Sequence, residues 1–133
     1  MISNLKRPYK LEIRKTYQKG WGVFATSPIY LNEVIEECPL LEVPTKLSNS
    51  HPEAFMDYAF AYPIENPQLQ VLPLGFGCIY NHSDTPNAKW QHNPLDSQIF
   101  QFIAIRDIQV GEEICTYYGD EKYWAQRPYI KKI

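Results

Sequence analysis

Apolar and polar residues alternate with period two in several stretches of the chain. Tyr9-Lys10-Leu11-Glu12-Ile13-Arg14 keeps the alternation throughout, and Ile99-Phe100-Gln101-Phe102-Ile103-Ala104-Ile105 keeps it in part. That period predicts strands with one face buried. Glu33–Cys38 and Glu113–Tyr118 are further strand candidates, the second entered through a turn at Gly111. One stretch predicts a helix instead. Ser50 caps its start, Glu53 completes a capping box, and Pro52 sits in the first turn. Phe55, Met56, Ala59 and Phe60 then share a face, and Pro63 stops the run. The 11 prolines exclude long helices over most of the chain, since an interior proline costs a helix about 3 kcal/mol. No internal repeat, low-complexity tract or linker is visible. The expected fold is mainly β and a single domain, with short strands, long loops and a short helix or two.

Composition supports a compact domain. A chain of 133 residues and 15.6 kDa buries roughly 68% of its unfolded surface. Hydrophobic residues make up 44% and charged residues 21%, which argues against disorder. No apolar run nears the length that spans a bilayer, and MISNLKRPYK lacks a signal-peptide core. A cytosolic or nuclear-type compartment is therefore expected, with no membrane partner. The net charge of -2 speaks against a generic nucleic-acid coat, which needs a concentrated basic face. It suits a basic peptide partner. Cys38, Cys78 and Cys115 are odd in number and far apart, so buried thiols are expected rather than disulfides or a zinc ribbon.

Three stretches look richer than packing requires. Lys19-Gly20-Trp21-Gly22-Val23-Phe24-Ala25 sets two glycines around a tryptophan, suited to a turn approached closely by a ligand or to an ordinary hairpin. Leu74-Gly75-Phe76-Gly77-Cys78-Ile79-Tyr80 runs into Asn81-His82-Ser83 and turns at Pro86-Asn87. His51, His82 and His92 show no helical pairing or finger-like spacing, so no metal site is expected. The third stretch, Gly111 to Asp120, ends a strand in Tyr117-Tyr118-Gly119 and is followed by Glu121-Lys122-Tyr123-Trp124.

In this order the three stretches, GWG, NHSDTPN and GEEICTYYG, resemble the signature segments of the SET-domain protein-lysine methyltransferases. The resemblance runs from about Leu11 to Trp124 and is similar to the minimal stand-alone type of large viruses and bacteria. It implies a β-clip fold of small sheets, with a pseudoknot-like crossing that sets Asn81-His82 beside Tyr118. The core would run from about 11 to 124, with a tail at 125–133. The implied cofactor is S-adenosylmethionine, bound on one face, with a substrate lysine entering through a narrow channel on the other.

Residue roles follow from the matched positions. Gly20, Trp21 and Gly22 would lie along the methionine moiety, Asn81 and His82 would hold the cofactor's polar edges, and Trp124 would pack on its adenine or ribose. Tyr118 matches the catalytic tyrosine, Tyr58 the channel tyrosine of a helical insert, and Tyr123 a further channel residue. Thr116 and Tyr117 would line the substrate channel. Thr116 stands two before Tyr118, where the family places a size switch, and its small side chain implies di- or trimethylation.

Two departures stand out. Asp120-Glu121-Lys122 puts three residues before the Tyr123-Trp124 pair where two are usual, which affects the placement of Tyr123. The cysteine-rich zinc tail of many chromatin enzymes is absent, so the channel wall would be completed by the tail or by a second subunit in a homodimer. The substrate would be a basic protein or peptide such as a histone tail. A SET-like module that only holds a peptide, and a structural subunit, are the alternatives.

Overall fold

The computed structural model describes residues 5, 8–43, 60–62 and 69–125. In chain order the described elements are β1 (Leu11–Lys15), β2 (Trp21–Ala25), β3 (Val34–Val43), β4 (Phe60–Tyr62), β5 (Leu69–Pro73), β6 (Asn81–His82), β7 (Ala88–Asn93), β8 (Asp96–Ala104), β9 (Glu113–Thr116) and α1 (Glu121–Ala125). They group into two compact units. One takes in Met1–Tyr9, Val34–Cys78 and Trp90–Ile103; the other takes in Lys10–Glu33, Ile79–Lys89 and Ala104–Ile133. No helix among the described residues is long and apolar enough to cross a membrane.

The first unit is built on the five-stranded sheet β4-β5-β3-β8-β7. Its core is a cluster of rings. Phe60 meets Trp90 edge to face at 4.9 Å and Phe100 at 5.6 Å, and Trp90 lies 4.8 Å from Phe100. Strand β3 runs past Cys38, although Pro39 lacks the N–H that a central strand needs. The register explains this. Val34 to Pro39 pair with β8, whereas Leu40 to Val43 pair with β5. Pro39 falls at the handover between the two partners, where its missing donor costs least. The helix expected from Ser50 to Phe60 lies outside the described residues up to Tyr58 and Ala59. Its last residue, Phe60, belongs instead to β4, paired with Val71. Tyr62 precedes Pro63 and so favours extended backbone, and Phe60 gains the ring cluster by leaving the helical pattern.

Burial of Glu36 is unusual for a carboxylate. It is almost wholly enclosed, and its Oε2 accepts the Phe76 N–H at 3.1 Å. Gly75 has φ +88, and a Cβ there would sit 2.7 Å from that oxygen, so the turn needs glycine twice over. Cys38, beside it, is held as a thiol by burial first and the Glu36 charge second. Cys78 is half-buried, and burial pushes its thiol up to about 11.

The second unit carries the four-stranded sheet β1-β2-β9-β6. β1 and β2 form a hairpin from Leu11↔Ala25 to Lys15↔Trp21, tied at its tip where Thr16 Oγ1 bonds both the Gly20 carbonyl and the Lys19 N–H at 2.8 Å. The structure also exposes a repeat that the sequence pattern hides. Ala25, Ile29, Asn32, Glu33 and Ile35 correspond at one constant offset to Ala104, Ile108, Gly111, Glu112 and Ile114. The two turns bond reciprocally. Ile29 and Ile108 exchange both backbone bonds, Ala25 N–H meets Glu112 O as Ala104 N–H meets Glu33 O, and Asn32 N–H meets Ala104 O as Gly111 N–H meets Ala25 O. Asn32 and Gly111 share a positive φ, 70° and 89°, which is why only a turn-forming residue stands at that point in each copy. Five matched positions spread over a turn are too few to register as a repeat by pattern.

Candidate active site

The last strand of the second unit is where its polar residues converge. β6 lies parallel to β9, with Asn81 beside Cys115 and His82 beside Thr116. Two segments far apart in the chain are thereby joined. Asn87, almost fully buried, clamps the join. Its Oδ1 accepts the Cys115 N–H at 2.8 Å and its Nδ2 donates to the Glu113 carbonyl at 2.8 Å. The Ser83 N–H adds a bond to the Thr116 carbonyl at 2.9 Å. A buried side-chain amide thus supplies what a longer ladder would otherwise provide.

His82 is buried, and its two ring nitrogens have different tasks. Nδ1 accepts the Tyr118 N–H at 2.9 Å. The proton must then sit on Nε2, which lies 2.8 Å from Asp84 Oδ1 and donates to it. That arrangement fixes the backbone of Tyr118 against the β6 segment. The Tyr118 hydroxyl donates to the carbonyl of Tyr80, so its oxygen presents lone pairs, not a proton, to anything bound beside it. The Trp124 ring stacks parallel to Tyr118 at 6.2 Å and crosses the His82 ring at 4.9 Å. Its indole N–H reaches the Gly119 carbonyl at 3.2 Å. The short helix α1 that carries Trp124 was not evident in the sequence; Asp120 precedes it, an N-cap type of residue, but five residues show no periodicity.

The glycine turn meets the same place from β2. Gly20 has φ +75 and open space about it, while Gly22 is packed so that a Cβ would lie 2.6 Å from Glu113 Oε2 and 3.1 Å from Asn81 Nδ2. Asn81 Nδ2 donates to the Trp21 carbonyl at 3.0 Å and to Glu113 Oε2 at 2.7 Å. Both amide hydrogens are committed, and the amide offers a ligand its acceptor Oδ1. Trp21 is 59% exposed, with Lys15 Nζ 6.0 Å from the centre of its ring. Lys19 Nζ stands 3.6 Å from Glu113 Oε1. Beside Glu113, burial and that carboxylate push the Cys115 thiol up to about 11, against a smaller pull from Lys19.

Gly20, Trp21, Gly22, Asn81, His82, Thr116, Tyr117, Tyr118 and Trp124 therefore all lie within one unit. Thr116 is buried at 2% exposure and Tyr117 is exposed, with the Tyr117 ring 5.3 Å from His82. Tyr58 and the side chain of Tyr123 lie outside the described residues. Glu113, Asn87, Tyr80 and Asp84 join these residues without being expected from the sequence. Glu113 stands inside GEEICTYYG, and Asp84 and Asn87 inside NHSDTPN; carboxylates and an amide at a strand start and a turn are a signal. Tyr80 acts through its carbonyl, for which no residue type is a signal.

A parallel two-residue junction holding a tyrosine hydroxyl, a tied histidine and a glycine turn defines a site for positioning a small polar ligand beside a phenol oxygen. Similarity to known proteins gives the chain a family. The model of the SET domain matches residues 20–119. A fission yeast protein, the histone-lysine N-methyltransferase specific for H3 lysine-37 of Schizosaccharomyces pombe, is 33% identical over 114 residues, spanning 86% of this chain and 76% of its own. A crystal structure of a candidate histone methyltransferase of Plasmodium falciparum is 32% identical with a TM-score of 0.70, covering 86% of this chain and 96% of its own. The chain belongs to the SET-domain protein-lysine methyltransferase family and has its mainly β fold of small sheets. It is a homologue of histone-lysine N-methyltransferases, enzymes that use S-adenosylmethionine.

Proposed function

We propose that this chain methylates a lysine of a histone tail, with Tyr118 as the catalytic residue. The observation that carries the reading is the Tyr118 hydroxyl, donated to the Tyr80 carbonyl and fixed through its own N–H to His82. When bound, S-adenosylmethionine supplies an electrophilic methyl group on a cationic sulfur. The chain's own residues fit that chemistry as acceptors. The Tyr118 oxygen, its proton given to the Tyr80 carbonyl, would offer its lone pairs to the polarised methyl hydrogens or the amine. Asn81 Oδ1 would accept from the ligand's ammonium, Gly20 and Gly22 would let the backbone at Trp21 approach the methionine moiety, the His82 backbone would hold its polar edge, and Trp124 would pack on the adenine or ribose.

Positioning carries much of the barrier reduction, because a neutral amine is already a good nucleophile. Deprotonating a lysine of pKa near 10.4 costs about 4.6 kcal/mol at pH 7. A cationic sulfur nearby and an aromatic channel both disfavour the ammonium and offset part of this. Tyr117 would line that channel, and Thr116, lacking a ring, would leave room for a second and third methyl.

One family match running through residues 20–119 supports a single domain with a core at about 11–124 and a tail at 125–133. The tail, or a second copy of the chain, would complete the channel. The Leu74-Gly75-Phe76-Gly77 run ahead of Asn81 supports kinship with the compact viral type. A histone substrate suits a nuclear-type compartment and a basic peptide partner.

Radiolabelled methyl transfer onto histones tests the reading, with mass spectrometry to locate and count the methyls. Label on lysine that Tyr118→Phe lowers by about 10²-fold, the scale of one preorganised group, is the expected result. No heat with S-adenosylmethionine in calorimetry and no transfer would leave a module that only holds a peptide, or a structural subunit.

A further inference from the structure

We infer that Glu113 is a positioning residue for the cofactor, acting through Asn81 and deciding which end of that amide a ligand meets. This rests on the reading of Asn81 as a cofactor ligand. An asparagine side chain is nearly symmetric in shape, and a half-turn exchanges its acceptor for a donor. In this site the choice is forced from the far side. Glu113 Oε2 takes one Asn81 N–H at 2.7 Å and the Trp21 carbonyl takes another at 3.0 Å. Both partners are acceptors only, so the flipped amide would set oxygen against oxygen. The Oδ1 atom is thereby kept for the ligand, where it suits the ammonium of a methionine moiety and repels a carboxylate.

Two further features show that the carboxylate is placed for this. Gly22 leaves the space it fills, since a Cβ there would stand 2.6 Å from Oε2. Lys19 Nζ, 3.6 Å from Oε1, balances its charge and leaves Oε2 to the amide. Strand β9 itself is rigidly held, with the Glu113 carbonyl on Asn87 and Ile114 paired to Val23. The side chain works from a fixed base.

The test compares S-adenosylhomocysteine with its deaminated analogue, which lacks only the amino group, by calorimetry on the whole chain. Wild type should prefer the amino form. Glu113→Ala should shrink that preference about 10-fold, the scale of one hydrogen bond to a charged group, and leave the analogue's affinity within about 2-fold. Glu113→Gln retains an acceptor oxygen for Asn81 and should keep most of the preference. Equal weakening of both ligands, or an unchanged preference in Glu113→Ala, overturns the role of Glu113 alone. Failure of wild type to bind either ligand overturns the reading of the site.

Discussion

The two sheets of this protein are held in different ways. In the five-stranded sheet, Phe60, Trp90, Phe100 and Phe102 make a cluster of rings, and stability comes from apolar area and aromatic geometry. In the four-stranded sheet the junction of β6 and β9 is only two residues long, and side chains bind backbone. Asn87 clamps Cys115 and Glu113, and His82 ties Tyr118. Ring packing tolerates small displacements, because its energy is spread over many weak contacts. Hydrogen bonds from buried amides do not, because each fails steeply with distance and angle. The chemistry sits where the geometry is tightest.

The contrast can be broken from either side. Phe100→Ala removes a fully buried ring and should cost about 3–5 kcal/mol in a denaturant titration. Turnover at a temperature where the variant stays folded should change little. Asn87→Ala leaves the Cys115 N–H and the Glu113 carbonyl without their partner and should cost about 2–4 kcal/mol. Unlike the ring variant, it should also lose methyl transfer while still folded. Tyr118→Phe reverses the pattern: activity falls by about 10²-fold, while thermal unfolding moves only by the net worth of one hydrogen bond, about 1 kcal/mol.

Smaller effects sharpen the same comparison at the paired turns. Gly111→Ala places a Cβ at positive φ, and Asn32→Ala removes the short polar side chain that eases the same conformation; each should lose about 1 kcal/mol. A loss at only one of them would mean the two turns are matched in pattern but not in strain. The thiols give a test against pH. Cys78 and Cys115 are raised from 9.0 to about 11 by burial, and Cys38 is raised further. A thiol with a folded pKa above its unfolded one contributes full stability below pH 9, and loses it as pH rises towards 11. Denaturation midpoints should therefore fall between pH 8 and 10.5. The fall should be shallower in Cys38→Ala.

Much of the fold was legible because a strand announces itself locally. The alternation around Leu11 to Arg14 and Ile99 to Ala104 predicted β1 and β8, and the run from Glu113 predicted β9. Its end at Thr116 rather than Tyr118 follows from the chain leaving the sheet to place Tyr118 against His82. Strands β4, β5 and β7 were not predicted. Phe60 sat in a sound helical pattern, and what placed it in a strand was its pairing with Val71 and the rings of Trp90 and Phe100. Pro39 read as a strand end, and only a change of partner at that residue lets β3 continue.

The sequence by itself determined the family segments and the residue types a methyl-transfer site needs: glycines beside Trp21, the Asn81-His82 pair, and a tyrosine ahead of Gly119. Each is a local matter of backbone freedom or side-chain chemistry, readable one position at a time. The tertiary structure decided which donors and acceptors of those residues are already paired and which are left over. The Tyr118 hydroxyl is an acceptor because the Tyr80 carbonyl takes its proton, His82 carries its hydrogen on Nε2 because Tyr118 N–H occupies Nδ1, and Asn81 offers oxygen because Glu113 and Trp21 hold its nitrogen. Those assignments depend on partners distant in the chain. A hydrogen bond has a direction, and only the folded pairing of donors with acceptors fixes it.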